Sequence, residues 1–219
     1  SLDWCLTWVI VSEPGYVHAD QRVSAVHRVR MVLPSYKNVY LYPEKCSEAS
    51  RNLIKDRKMI NRKGVRMYVN ISLILAHPNP QSFNHAIANT AMDSLLSAGH
   101  TVWFHDLYQE GFDPILPSDE IPRDAPLPHQ VFTHCDEIVR ADGIIVVHPN
   151  WWGMPPAIMK GWIDRVIRPG LAYRFLEGDT GEGVPVGLLP AKAVIVFNTA
   201  NTPEIRENEV FGDPLERIW

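Results

Sequence analysis

From Tyr68 onward, short apolar runs alternate with stretches of helical periodicity. Val69, Ile71, Leu73, Ile74, Leu75 and Ala76 predict a first strand. Ile87, Ala88, Ala91, Met92, Leu95 and Leu96 line one face of a predicted helix, closed by Gly99 where a left-handed residue is wanted. The second strand is read over Thr101 to Tyr108, and Val131, Cys135, Ile138 and Val139 make the next helical stripe. Gly143-Ile144-Ile145-Val146-Val147 is a β-branched run of the kind buried on both faces of a sheet. Pro155 and Pro156 suit the first turn of a third helix. Along it Ile158, Trp162 and Val166 form one stripe, and Met159, Ile163 and Ile167 widen it; Pro169-Gly170 ends it. Ala193-Val194-Ile195-Val196-Phe197 is a fourth strand. Strands alternating with helices predict an α/β fold with an open, doubly wound parallel sheet.

Residues 1–66 read differently, and the domain boundary is placed at 66/67. Pro14-Gly15, Pro34-Ser35 and Pro43 interrupt them, and the best local signal is the roughly helical spacing of Val26, Val29, Val32 and Leu33. Arg51, Lys55, Arg57, Lys58, Arg62, Lys63 and Arg66 make the end of this segment basic, but no aromatic residues are interleaved with them. A solvated linker is therefore favoured over a nucleic-acid arm.

Ligands of such sheets bind at the carboxyl ends of the strands. The first strand ends in His77-Pro78-Asn79-Pro80-Gln81-Ser82-Phe83-Asn84, a polar loop running into a helix N-terminus, where free N–H groups and the dipole favour a phosphate. Ser82 and Asn84 add side-chain donors, although Ser82 is equally a plain N-cap. The loop has neither Gly-x-Gly-x-x-Gly nor Gly-x-x-x-x-Gly-Lys. The third strand ends in Pro149-Asn150-Trp151-Trp152-Gly153, where two tryptophans could offer flat apolar faces to a flat ligand. The fourth ends in Asn198-Thr199-Ala200-Asn201, whose amides and hydroxyl can bond ring carbonyls and N–H groups. His129, His134, Cys135 and Asp136 do not converge at helical angles, so they read as a solvated helix face and no metal is expected.

Pro149-Asn150-Trp151-Trp152 followed by Pro156-Ala157-Ile158-Met159-Lys160-Gly161-Trp162 resembles the flavodoxin-like, flavin-dependent NAD(P)H:quinone oxidoreductases. In that family a Pro-x-x-Trp loop holds the isoalloxazine, and a Pro-Ala-x-x-Lys-Gly-Trp helix follows. The His-x-x-x-x-Ser-Phe-Asn run is similar to the family's flavin phosphate loop. Asp106-Leu107-Tyr108 and Gly111-Phe112-Asp113-Pro114 also have family counterparts. The resemblance covers residues 67–219 and implies cofactor binding by His77, Ser82, Phe83, Asn84, Pro149, Asn150, Trp151, Trp152, Gly153, Asn198, Thr199, Ala200 and Asn201. Leu171-Ala172-Tyr173 stands where the family has an aromatic-Ala-Tyr beside the flavin and substrate, and the resemblance makes Tyr173 the candidate catalytic residue over the ring. The third loop departs from the family's frequent Thr-Thr-Gly-Gly, and Glu204 to Glu209 hold no counterpart of the Tyr and His that assist hydride transfer in mammalian quinone reductase.

The implied activity is hydride transfer from NAD(P)H through a bound flavin, FAD with FMN as the alternative, to a quinone or similar acceptor. The alternatives are a flavoprotein regulatory subunit of a potassium-efflux system, or a flavin-free remnant. Family members are homodimers, begin just before the first strand, and continue to a fifth strand and last helix. A flavodoxin-like domain incomplete at its C-terminus, in strand order 2-1-3-4 with the fourth strand an open edge, is therefore the expectation. A net charge of -4 gives no reason to expect nucleic acid. No apolar run approaches the ~20 residues of a membrane span. Cys5, Cys46 and Cys135 have no metal spacing and point to a reducing compartment, hence the cytoplasm.

Overall fold

A computed structural model describes residues 27–33, 36–41, 68–175 and 185–219. Four parallel strands form its centre: β3 (Asn70–Leu75), β4 (Thr101–Asp106), β5 (Gly143–Pro149) and β8 (Ala193–Thr199). Their order is β4-β3-β5-β8, the expected 2-1-3-4. Three helices cover them: α1 (Phe83–Ser97), α2 (His129–Ile138) and α3 (Ala157–Val166). Two short helices, α4 (Glu204–Glu209) and α5 (Pro214–Ile218), follow β8.

The period of two along a strand sends alternate residues to opposite faces. Ile71, Leu73 and Leu75 of β3 join Ile145 and Val147 of β5 in one cluster, with Ala88 of α1 and the partly buried Ile87, Ala91, Met92 and Leu95. Ile74, Ile144 and Val146 face the other way, onto Val131, Cys135 and Ile138 of α2 and Met159, Trp162 and Val166 of α3. Both faces of the sheet are thus covered. Gly99 closes α1 at a φ of 88°.

On α3 both predicted stripes are covered within the chain: Met159 and Trp162 are buried, and Ile163 and Ile167 pack on the same core. The helix itself leaves no unfilled apolar face. The Lys160–Asp164 pair is present at 2.5 Å. Arg168, one turn beyond Asp164, is buried and donates to the carbonyls of Glu120 and Pro122. The proline- and acid-rich loop 115–128 is mostly exposed but sends Glu120 inward, onto Arg165 at 2.5 and 3.0 Å. A Cβ on Gly161 would lie 2.2 Å from the Pro114 carbonyl oxygen, so only glycine lets that loop lie against α3.

The segment before residue 67 corrects one reading. Val29, Val32 and Leu33 lie in a strand, β1 (His27–Leu33), rather than a helix, and β2 (Tyr36–Leu41) pairs with it antiparallel. β1 in turn pairs antiparallel with β8, from His27 opposite Thr199 to Val32 opposite Val194. The sheet therefore has six strands, β2-β1-β8-β5-β3-β4, and the expected open edge of the fourth parallel strand is occupied. Val26 and the basic stretch ending at Arg66 lie outside the described residues.

Candidate functional site

β3, β5 and β8 are neighbours in register, so their carboxyl ends bring three loops together. Thr199 ties them. Its hydroxyl accepts from Asn84 Nδ2 at 2.9 Å, and its carbonyl accepts the N–H of Asn150 at 2.7 Å. The His77 and Trp151 rings lie 6.0 Å apart. The first, second and third loops of the sequence reading therefore converge through Asn84, Asn150 and Thr199.

The tryptophan loop is a tight turn. Trp151 and Met154 exchange backbone hydrogen bonds of 3.0 and 3.1 Å. Between them Trp152 has a φ of 59° and Gly153 a φ of 72°. Two positive φ values define a type I′ turn, which suits glycine and not a bulky aromatic residue. Asn150 Oδ1 holds the Gly153 N–H at 2.9 Å, and Asn150 Nδ2 donates to Glu207 Oε1 at 2.9 Å. Pro214 packs so closely that a Cβ on Gly153 would lie 2.7 Å from its Cγ. The two tryptophans separate: Trp151 is 42% exposed and beside His77, whereas Trp152 is 100% exposed at the tip. A non-glycine residue held at positive φ is the kind of strain that collects at ligand sites.

Ser82 is the N-cap of α1, accepting the His85 N–H at 3.3 Å. Its Oγ also lies 2.9 Å from His85 Nδ1, and His85 Nε2 lies 2.8 Å from Asp106 Oδ2 at the end of β4. Sequence reasoning missed His85 and Asp106 as a pair; a Ser-x-x-His spacing at a helix start was the available signal. Burial lowers the pKa of His77, with His85 adding to this, while the Asn79 carbonyl and Asp106 act against it. Asn84 is 3% exposed, and its Oδ1 is buried with no hydrogen-bond partner. Glu207, unassigned from sequence, is buried under Asn150, and no local pattern announces it.

The reading of α2 as a solvated face needs correction, because His134 and Cys135 are both buried. Burial pushes the Cys135 thiol up to about 11. His134 meets His105 of β4, their rings 3.8 Å apart, and Glu110 bonds His105 at 2.9 Å and His134 at 3.1 Å. Ligand atoms of His105, Glu110 and His134 lie within 4.8 Å of one another, close enough for a metal. The tautomers oppose it. Trp162 Nε1–H donates to His134 Nδ1 at 3.0 Å, so the proton of a neutral ring is on Nε2 and points at Glu110. His105 Nε2 is 2.5 Å from Glu137, which gives that ring a carboxylate on each nitrogen. Burial works against the charge on His105, yet the two carboxylates raise its pKa. Burial likewise opposes the Glu110 carboxylate, but His105 and His134 hold its pKa down at about 2. The cluster is a polar clamp between β4, α2 and the turn after β4, with both histidines buried and Glu110 at its exposed side.

Tyr173 lies in a separate two-stranded sheet of β6 (Tyr173–Arg174) and β7 (Val186–Gly187). Its ring meets Phe175 edge-on at 5.8 Å. Most of the glycine-rich loop after it, residues 176–184, lies outside the described residues.

A family model described as flavodoxin-like fold matches residues 69–218. The chain is 40% identical over 134 residues to a protein of Haemophilus influenzae named uncharacterized NAD(P)H oxidoreductase, spanning 60% of this chain and 64% of that one. It is 32% identical over 169 residues to a ribosyldihydronicotinamide dehydrogenase [quinone] of Pongo abelii, spanning 68% of this chain and 71% of the relative. A crystal structure of a putative quinone reductase from Klebsiella pneumoniae superposes with a TM-score of 0.57 at 28% identity, over 68% of this chain and 66% of that one. With its parallel sheet, its three converging loops and the extent of these matches, the chain belongs to the flavodoxin-like NAD(P)H quinone oxidoreductase family.

Proposed function

We propose that the protein is a flavin-dependent oxidoreductase that passes hydride from NAD(P)H to a quinone-like acceptor. The observation that carries this reading is Thr199 joining the loops at the ends of β3, β5 and β8. The orphaned Asn84 Oδ1 fits a ligand that brings its own donors, as the ribityl hydroxyls of a flavin would. A flavin supplies the two-electron chemistry when bound, and the protein contributes binding, orientation and polarity.

In this reading His77, Ser82, Phe83 and Asn84 hold the phosphate end beside the start of α1. Pro149, Asn150, Trp151, Trp152 and Gly153 form the wall along the ring. Asn198, Thr199, Ala200 and Asn201 address the ring's polar edge. Tyr173 is assigned the outer face, where nicotinamide and acceptor would alternate. FAD is the proposed cofactor, with FMN as the alternative; assembly as a homodimer and a cytoplasmic location complete the proposal. The dimer rests on family resemblance, since α3 is satisfied within the chain. No helix among the described residues is long and apolar enough to cross a membrane.

The test is the absorption spectrum of the purified chain, mass spectrometry of any released cofactor, and NAD(P)H oxidation with a soluble quinone. Bound flavin with quinone-dependent turnover is expected. A colourless chain that takes up neither FAD nor FMN would overturn the reading. Light scattering of the flavin-bound chain tests the dimer, with twice the chain mass expected.

A further inference from the structure

The amino end of α1 carries three side chains wired in series, and the argument that follows rests on the cofactor reading above. Asp106, as a carboxylate, only accepts hydrogen bonds, and its Oδ1 already receives the N–H groups of Tyr108 and Gln109 at 3.2 Å. The proton in its 2.8 Å bond to His85 therefore sits on Nε2. A neutral ring then has a bare Nδ1, and the serine hydroxyl donates the 2.9 Å bond from Ser82. Ser82 Oγ also accepts the backbone N–H of His85 at 3.3 Å. The only proton of that hydroxyl is thus turned inward, and an anion at the helix end would meet a lone pair.

One more proton reverses the series. With Nδ1 protonated, the ring donates to Ser82 Oγ, and the hydroxyl proton is released to swing toward the anion. Asp106 keeps the imidazolium paired, which matters because His85 is only 8% exposed and an isolated charge there would be costly. Solvent supplies the proton; a phosphate monoester such as FMN, whose second proton is lost at about 6, can also bring it, whereas the pyrophosphate of FAD cannot. Among the described residues, the titratable groups facing His85 are Asp106 from β4 and His77 from the loop after β3. The His77 ring stands edge-on to His85 at 6.3 Å, and burial disfavours its charge, so it is a poor competitor for the proton. Asn84, the neighbour of His85, gives an independent sign of a ligand: its amide reaches across to Thr199 while its buried Oδ1 has no partner.

We propose that Ser82, His85 and Asp106 form a proton-linked latch for a phosphate group, in which the anion binds as His85 gains one proton and the Ser82 hydroxyl turns outward. Ser82 is the group that touches the phosphate. His85 and Asp106 are positioning residues that set the direction of its hydroxyl. The latch reads charge, so it distinguishes a flavin that carries phosphate from one that does not.

The experiment is isothermal titration of the full chain with FAD, FMN and riboflavin, in buffers of different ionisation enthalpy. Near about pH 7.5, FAD and FMN should bind with uptake approaching one proton, and their affinity should fall up to about tenfold per further pH unit. Riboflavin should bind without uptake. His85→Gln should weaken FAD several-fold at acidic pH, abolish the pH slope and leave riboflavin unchanged. Ser82→Ala preserves the His85–Asp106 bond and should remove the slope in the same way, which keeps the test open if the buried His85→Gln does not fold. Heats independent of buffer in the wild type, or a slope retained in Ser82→Ala, overturn the latch while leaving the cofactor reading intact. A chain that binds none of the three flavins overturns the cofactor reading and the latch together.

Discussion

Trp219 donates its indole N–H to Nε2 of His148 at 3.1 Å, and that contact fixes the tautomer of the most deeply placed histidine in the parallel sheet. The proton is on Nδ1, which donates to the Pro149 carbonyl at 2.8 Å. Burial pushes the His148 pKa from 6.5 down to about 4, against that bond. The folded chain therefore holds His148 neutral in a range where the unfolded chain would protonate it. Stability associated with this group is complete above about pH 6.5 and declines as pH falls toward 4, by up to about 3 kcal/mol. Urea titrations at several pH values should show this slope, and His148→Phe should flatten it. Trp219→Phe leaves a buried acceptor unpaired and should lower stability by about 1–3 kcal/mol at pH 7.

Thr199 serves two loops through different atoms, and they can be separated. Thr199→Val removes the hydroxyl that Asn84 uses and keeps the carbonyl that Asn150 uses. Flavin affinity, followed by fluorescence quenching, should fall about tenfold, the value of one lost hydrogen bond of about 1.4 kcal/mol. Thr199→Ser should restore most of it. Equal affinity in all three proteins would place the loop junction away from the ligand.

Trp152 should show opposing effects on stability and binding. Its backbone is left-handed and its side chain fully exposed, so it adds strain without burial. Trp152→Gly should raise the denaturation midpoint slightly, a gain of up to about 1 kcal/mol after the entropy of glycine is allowed for. The same change removes an aromatic face and should weaken flavin binding. A mutant that is both less stable and equally good at binding would remove the case for strain in service of a ligand.

Removing residues 1–66 uncovers β8. Backbone N–H and C=O groups of Ala193–Thr199 that now face β1 would become a free sheet edge. A chain starting at Met67 should therefore form assemblies larger than those of the full chain at the same concentration, as read by light scattering. Because His27 lies opposite Thr199, the truncated chain should also bind flavin more weakly. The same assembly state with unchanged flavin binding would make these residues dispensable.

Most of the central sheet was legible because its strands are buried on both faces. Leu73, Ile74 and Leu75 are all fully enclosed, so the apolar run needs no alternation to be recognised. The three loops were found because a strand's end and a helix's start leave chemical marks nearby in sequence. The strand β1 was misread because two periods overlap there: Val29, Val32 and Leu33 fit a helix, while Arg28, Val29, Arg30 and Met31 alternate as a strand does. Partnership with β8, across more than 160 residues, decides between them. The His105–Glu110–His134 clamp was invisible for a related reason. Helical angles test only residues on one helix, and two of these three residues come from β4 and its turn.

In the Lys-Gly-Trp run on α3, which together with the Pro-x-x-Trp loop made the family visible, the glycine and the tryptophan pack on the loop after β4 and on α2. Gly161 clears a path for Pro114, and Trp162 spends its indole N–H on His134. What that signature records is a seam: the line along which the loop after β4 is sewn to a helix on the sheet's rear face. A distant chain that keeps the run thereby declares how it is stitched, and leaves open what it carries. Substitutions in the front loops can accordingly change the cargo while this seam, and its part of the recognisable pattern, stays as it is.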